Sequence, residues 1–282
     1  MRLLQFAYLP LCSGLSPITL KSAMVVPSKS PNMKLSGSSW PRRRPSVVGL
    51  VGGIASGKST VSHALAEYCG LAVIDADKLG HESYSPGTRC FGKLVDEFGR
   101  KIVAGDGTID RRALGEVVFG DPSNMARLQG IVWPEIRQLA QKRITSLGKE
   151  GVDSVVLEAA VLLEAGWDDM CDELWVVQVP PYVARARLME RNNFSEEQAE
   201  KRIAAQPMTN EERAARATVV ISNEGTREEI VEKVKKTWAT RRQVLLGNRR
   251  RRSLAVAGSA AIVVAASAVA ASMLLARGRG LR

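Results

Sequence analysis

The segment Gly52-Gly53-Ile54-Ala55-Ser56-Gly57-Lys58-Ser59 fits the pattern GxxxxGK[ST] at every position. No other stretch limits the fold as strongly. It follows a short apolar run, Ser46–Val51, and precedes Val61, Ala64, Leu65 and Tyr68 at helical spacing. Strand, glycine-rich turn and helix form the context in which the pattern has chemical meaning. Glycines let the backbone curl so that its N–H groups face phosphate oxygens. The helix amino end adds partial positive charge. Lys58 is expected to reach the β and γ phosphates of a nucleotide, and the Ser59 hydroxyl to ligate Mg²⁺.

Four further apolar runs continue the alternation: Leu71–Ile74, Ser154–Leu157, Leu174–Val179 and Thr218–Ile221. Continuous apolar strands separated by helices predict an α/β protein with a five-stranded parallel sheet covered on both faces. The stretch from about 86 to 150 interrupts this rhythm with helical patterns around Arg111–Phe119 and Met125–Leu147, and reads as a helical insertion. Tyr182–Asn192 and Ser195–Gln206 are polar, Arg-rich helices that read as a mobile cover, a lid over about 182–206. Ser195-x-x-Gln198 and Thr209-x-x-Glu212 fit capping boxes. Thr226–Leu246 predicts a final amphipathic helix.

Charge is divided unevenly. The net charge of +11 comes from the ends: residues 1–45 hold seven Lys and Arg and no acid, and residues 241–282 hold nine Arg and no acid. Between them 24 basic residues face all 29 acidic ones. A nucleic-acid binder places its basic stripe on the folded domain, so DNA and RNA are not expected partners. The four Cys are scattered without zinc or disulfide spacing, which suits a reducing compartment. Residues 1–45, Ser-rich and acid-free, read as a disordered leader or an organellar transit peptide. Ser253–Ala276 is an uncharged stretch of 24 residues between Arg249–Arg252 and Arg277. Its length predicts a carboxyl-terminal transmembrane helix, a single-pass anchor. Leader and anchor together place the chain at a membrane, of a mitochondrion first. A plastid, an outer organellar membrane or the endoplasmic reticulum are the alternatives.

The phosphate loop leaves GTPase, motor ATPase and small-molecule kinase open. The chain lacks a guanine-reading Asn-Lys-x-Asp sequence, and its size favours a small-molecule kinase. Ile74-Asp75-Ala76-Asp77 follows the second strand. Carboxyl ends of parallel strands face the ligand crevice. A carboxylate there can take a hydroxyl proton as a phosphoryl group moves. The other role for either Asp is to cap the next helix. Both roles fit together if Asp75 is structural and Asp77 catalytic.

With these residues in place the chain resembles the dephospho-coenzyme A kinases, over roughly Val47–Trp238. The pieces that carry the resemblance are Gly52–Thr60, Val73–Asp77, Asp106–Leu114, Val156–Glu164 and the Arg187–Gln206 block. Ile74–His81, Val132-Trp133-Pro134 and Ala159–Trp167 look closest to the kinase domain of the animal bifunctional coenzyme A synthase. No adenylyltransferase domain is seen ahead of it, so a stand-alone kinase is expected. The resemblance implies a P-loop nucleotide kinase fold over 46–248, with the helical insertion contributing to substrate binding. It implies ATP-dependent phosphorylation of the ribose 3′-hydroxyl of dephospho-coenzyme A, giving coenzyme A and ADP, with Mg²⁺. It further implies catalytic roles for Asp77, Lys58 and Arg191. ATP contacts are implied for Gly52, Gly53, Ile54, Ala55, Ser56, Gly57, Lys58, Ser59, Thr60, Arg187 and Asn223. Lid arginines at Arg187, Arg191 and Arg202 follow, and a Mg²⁺ site at Ser59 and, through water, Glu158.

Many bacterial relatives have His-Pro where this chain has Trp133-Pro134. His63 and His81 read as surface or capping residues, because neither has a metal-ligand partner nearby in sequence. Two other readings remain open at this point: a kinase of another small-molecule acceptor, and a membrane-anchored scaffold that binds nucleotide without turnover.

Overall fold

The computed structural model describes residues 44–247. The chain divides into two compact units, Met1–Lys235 and Lys236–Arg282. The first holds a parallel sheet of five strands in the order β2-β3-β1-β4-β5. The strands are β1 (Ser46–Gly52), β2 (Ala72–Asp75), β3 (Ser154–Glu158), β4 (Glu173–Gln178) and β5 (Val219–Ser222). All four pairings are parallel. β1 and β3 are buried along their whole length, which is why Ser-Val-Val-Gly-Leu-Val-Gly and Ser-Val-Val-Leu-Glu read as continuous apolar runs rather than alternating ones. The chain goes from β1 to one side of the sheet and returns to place β4 on the other. The carboxyl end of β1 therefore lies at the switch point where open sheets of this kind form their crevice.

Helices α1 (Lys58–Cys69) and α2 (Ala76–Ser83) follow β1 and β2 directly. The insertion consists of α3 (Arg89–Phe98), a 3₁₀ turn at Arg100–Ile102, α4 (Arg111–Phe119) and α5 (Pro122–Lys149). α5 starts on an Asp121 side-chain cap with Pro122 in its first turn, and continues through Pro134. Its inward stripe, Leu128, Val132, Ile136, Ala140 and Ile144, is buried at helical spacing and joins one core with Leu94, Leu114 and Leu157. Trp133 meets Trp167 edge to face, with ring centroids 6.5 Å apart. After β4 come α6 (Pro181–Asn192), α7 (Glu196–Ala204) and α8 (Asn210–Ala215). Both capping boxes expected from the sequence form, at Ser195/Gln198 and at Thr209/Glu212. Arg185 binds Glu196 and Glu200, each at 2.6 Å, and so ties α6 to α7. A last helix, α9, runs over 227–247.

The structure supports the α/β architecture and corrects one part of the expectation. Among the described residues no helix is long and apolar enough to cross a membrane. The longest, α5, carries Arg127, Glu135, Arg137, Lys142, Arg143 and Lys149 along its length, and its apolar stripe is spent on the core. The stretch 253–276 taken for a transmembrane helix lies outside the described residues, as does the leader apart from its last two.

One strand position is packed to its limit. A Cβ on Gly49 would stand 2.7 Å from Cys171 Sγ and 3.3 Å from Leu162 Cδ1. Cys171 is confined enough that burial pushes its thiol up to about 12. Gly49→Ala is therefore expected to lower stability by about 1–3 kcal/mol, the usual cost of an extra methyl in a full core. Urea unfolding measures it. Adding Cys171→Ala removes the closest atom and should restore part of the loss, so the two changes will not be additive.

Candidate active site

The loop Gly53–Gly57 leaves β1 as a tight turn in which the Ser56 N–H donates to Gly53 O at 3.2 Å. Ala55 sits in the left-handed region at φ 56°, a conformation that costs a non-glycine residue about 1–2 kcal/mol. Gly57 caps α1 at φ 84° and offers no side-chain hydrogen bond to the helix. Its place admits nothing larger: a Cβ there would lie 2.0 Å from Asn223 Nδ2. Lys58 opens α1, and its Nζ donates back to Gly52 O at 3.0 Å, across the turn. A lysine held over the loop amides presents its charge where a nucleotide's phosphates are cradled.

Three side chains from the chain beyond β4 hold three successive loop residues. Arg187 of α6 donates to Ala55 O at 3.3 Å and, through its other terminal nitrogen, to Asn223 O at 2.8 Å. Asn223, buried just past β5, donates from Nδ2 to Ser56 O at 2.7 Å. Gln206, just past α7, accepts from the Ile54 N–H at 2.7 Å. Of these the sequence reading singles out Arg187 and Asn223 as nucleotide contacts. The structure places both on the loop backbone, and Gln206 has no role in that reading. A cavity of about 270 Å³ opens beside the loop, lined by Gly53, Ile54 and Ser56 and, across from them, by Val179, Ile203 and Gln206.

Asp75 takes the capping role expected of one of the two acids. Asp75 caps α2, its Oδ1 accepting from the N–H groups of Asp77 at 3.0 Å and Lys78 at 3.2 Å. Such a cap stabilises a helix by about 1 kcal/mol. Asp77 lies in the first turn of α2 and is buried, with 6 % of its surface exposed. Glu158 ends β3 in register with Leu50 on one side and Asp75 on the other, and is also buried. Asp77 and Glu158 thus stand near the carboxyl ends of neighbouring strands, beside the strand that carries the loop. A serine hydroxyl and a buried carboxylate are hard oxygen donors and fit Mg²⁺. Among the described residues no three His, Cys, Asp or Glu come together as a metal cage. Mg²⁺ held mainly by its own waters and by phosphate needs none.

The remaining arginines take different places. Arg202 is buried, its guanidinium 4.4 Å from the centre of the Phe194 ring, so it packs the cover together by a cation–π contact. Arg191 is exposed on the last turn of α6, its Nε donating to Asn192 Oδ1 at 3.0 Å. His63 is exposed on α1. His81 is half-buried, one turn after Asp77, with Nδ1 2.7 Å from Tyr84 Oη and Nε2 3.3 Å from Arg111. Arginine only donates, so Nε2 is the acceptor and Nδ1 carries the proton. Burial pushes the Tyr84 hydroxyl up. The i, i+4 spacing of Asp77 and His81 is the sequence signal for their shared helix face.

Comparisons with known proteins agree with this geometry. The dephospho-CoA kinase family matches residues 46–229. The dephospho-CoA kinase of Geobacter sulfurreducens is 48% identical over 195 residues, covering 69% of this chain and 98% of its own. That of Symbiobacterium thermophilum is 45% identical over 192 residues, covering 68% of this chain and 80% of its own. Among solved structures, TT1252 from Thermus thermophilus superposes with a TM-score of 0.60 at 33% identity, over 70% of this chain and 98% of its own. Dephospho-CoA kinase from Campylobacter jejuni does so with 0.54 at 25% identity, over 72% and 98%. These findings also correct the membrane-anchored, mitochondrial placement and its alternatives. The two relatives named above are bacterial, and the Geobacter protein is matched almost end to end by 69% of this chain. No described helix can cross a bilayer. A family match over most of the described residues, on a sheet whose loop, Asp77 and Glu158 stand at or near the carboxyl ends of its strands, leads to one conclusion: this chain belongs to the dephospho-CoA kinase family.

Proposed function

We infer that the chain transfers the γ-phosphoryl group of ATP to the ribose 3′-hydroxyl of dephospho-CoA, giving CoA and ADP, the last step of CoA biosynthesis. The observation that carries this is the match of 98% of the Geobacter sulfurreducens dephospho-CoA kinase to this chain at 48% identity. The phosphate loop is intact and lies within the family match over 46–229.

We propose the following roles. The loop amides and Lys58 hold the ATP phosphates. Asp77 accepts the proton of the 3′-hydroxyl, or hydrogen-bonds it into line, as the γ-phosphoryl leaves ADP. Burial of Asp77 supports this, because a carboxylate kept from bulk water holds a hydroxyl in one geometry. Ser59 and, through water, Glu158 would hold Mg²⁺, which when bound neutralises charge between the β and γ phosphates. Arg187 braces the loop from the nucleotide side. Arg191 and Arg202 belong to the cover formed by α6 and α7, and that cover excludes water from the reaction.

Arg187 gives a direct expectation. Arg187→Lys keeps the charge but loses the fork that spans Ala55 O and Asn223 O. Losing such charged hydrogen bonds should raise KM for ATP by about ten- to a hundredfold. Initial-rate kinetics at saturating dephospho-CoA measures it.

The reaction itself is tested by incubating the full chain with ATP and, separately, dephospho-CoA, adenosine, AMP and uridine. Phosphorylation of dephospho-CoA alone is expected. Turnover of another acceptor in its place would keep the fold and reject the substrate.

A further inference from the structure

Gln206 takes no part in the reaction as described, yet its side chain is fully committed. It follows α7 after the single residue Ala205. Its Nε2 donates to Ile203 O at 3.2 Å, which turns Oε1 toward the phosphate loop. There Oε1 accepts from the Ile54 N–H at 2.7 Å and from the Arg213 guanidinium at 3.5 Å. Arg213 is buried and also donates to Thr209 O at 3.5 Å. The amide cannot be reversed: its NH₂ would then face two donors, while Ile203 O would face an oxygen. Gln206 is thus locked with an acceptor aimed at one loop amide.

That amide precedes the strained residue of the loop. Ala55 follows Ile54 at φ 56°, and such a conformation persists only where its surroundings over-determine it. Arg187 fixes the carbonyl of Ala55 and Asn223 that of Ser56. Gln206 fixes the N–H of Ile54. The three together hold the peptide groups 53–54, 55–56 and 56–57 of the turn on either side of Ala55.

We propose that Gln206 is a positioning residue for phosphoryl transfer. Acting through the Ile54 amide, it sets the front of the phosphate loop. Because it stands two residues past the end of α7 and donates back to Ile203 in that helix's last turn, it also links the shape of the loop to the position of the cover. The kinetic part of this proposal rests on the kinase reading; the structural part does not.

The test compares the full chain with its Gln206→Ala and Gln206→Glu variants. Hydrogen exchange at the Ile54 amide is read by NMR, beside KM for ATP and kcat with dephospho-CoA. In Gln206→Ala, Ile54 exchange should speed up about tenfold, the loss of one hydrogen bond, with the β1 amides of Val48 and Leu50 unchanged. KM for ATP should rise by a similar factor, more than kcat falls. Gln206→Glu keeps an oxygen at the same reach and should recover most of the Ile54 protection. Unchanged Ile54 exchange in Gln206→Ala overturns the proposal. So does a general loss of protection across β1 with KM unaltered, which marks a merely structural residue. If the unaltered chain fails to phosphorylate dephospho-CoA, that failure belongs to the kinase reading, and Ile54 exchange still decides the role of Gln206.

Discussion

Asp77→Asn is expected to cut turnover of dephospho-CoA by about 10²–10⁴-fold, the range that general acid–base groups contribute. The amide is nearly the same size as the carboxylate, so the buried site need not repack. It can still hydrogen-bond a hydroxyl but cannot take its proton. ATP affinity should stay within about threefold, because Asp77 stands on α2 whereas the phosphates are held by the loop and α1. Rapid-quench measurement of a single turnover, beside ATP binding by calorimetry, separates the two quantities. Near-normal turnover would remove Asp77 from proton transfer. A parallel loss of ATP binding would make it a structural residue. The control is Asp75→Asn, which replaces one good helix cap by another and should leave the rate nearly unchanged.

Gly57→Ala is expected to abolish productive ATP binding, with at least a hundredfold rise in KM or no measurable activity. Two independent constraints meet at this position. The φ of 84° is one that an alanine adopts only at a cost of about 1–2 kcal/mol. The added Cβ would also stand 2.0 Å from Asn223 Nδ2, so Asn223 must release Ser56 O. Arg187, which donates to Asn223 O, is disturbed in turn. The damage therefore falls on the loop rather than on the core. Thermal unfolding should shift by only a few degrees, while stabilisation by saturating ATP disappears. Retained ATP stabilisation would contradict this account of the loop.

The sheet and the loop were legible in the sequence for a physical reason. Strands buried on both faces carry unbroken apolar runs, and Val47–Val51, Val155–Leu157 and Leu174–Val177 have almost no polar interruption. The loop was legible because its backbone geometry demands glycine, and only a few spacings satisfy it. Asp75 and Asp77 could be found because they follow a strand at its carboxyl end. The sequence allowed both roles at once, a cap at Asp75 and catalysis at Asp77; the cap's hydrogen bonds and the burial of Asp77 are what the structure adds. What the sequence did not yield were partners brought from far along the chain. Gln206 reaches Ile54 over 152 residues and Asn223 reaches Ser56 over 167. No periodicity records such contacts. The contact of His81 with Arg111 is of the same kind, since Arg111 comes from α4, across the insertion. The membrane reading rested on length and flanking charge at the carboxyl end, and neither the described helices nor the relatives support it.

The central claim is that this loop and this carboxylate serve one acceptor atom, the ribose 3′-hydroxyl. It is tested most directly by giving the full chain γ-labelled ATP with either dephospho-CoA or its 3′-deoxy analogue. Label should pass to dephospho-CoA, in a product identical to CoA, and none should pass to the analogue. Label on the analogue, or none on dephospho-CoA, would contradict the account.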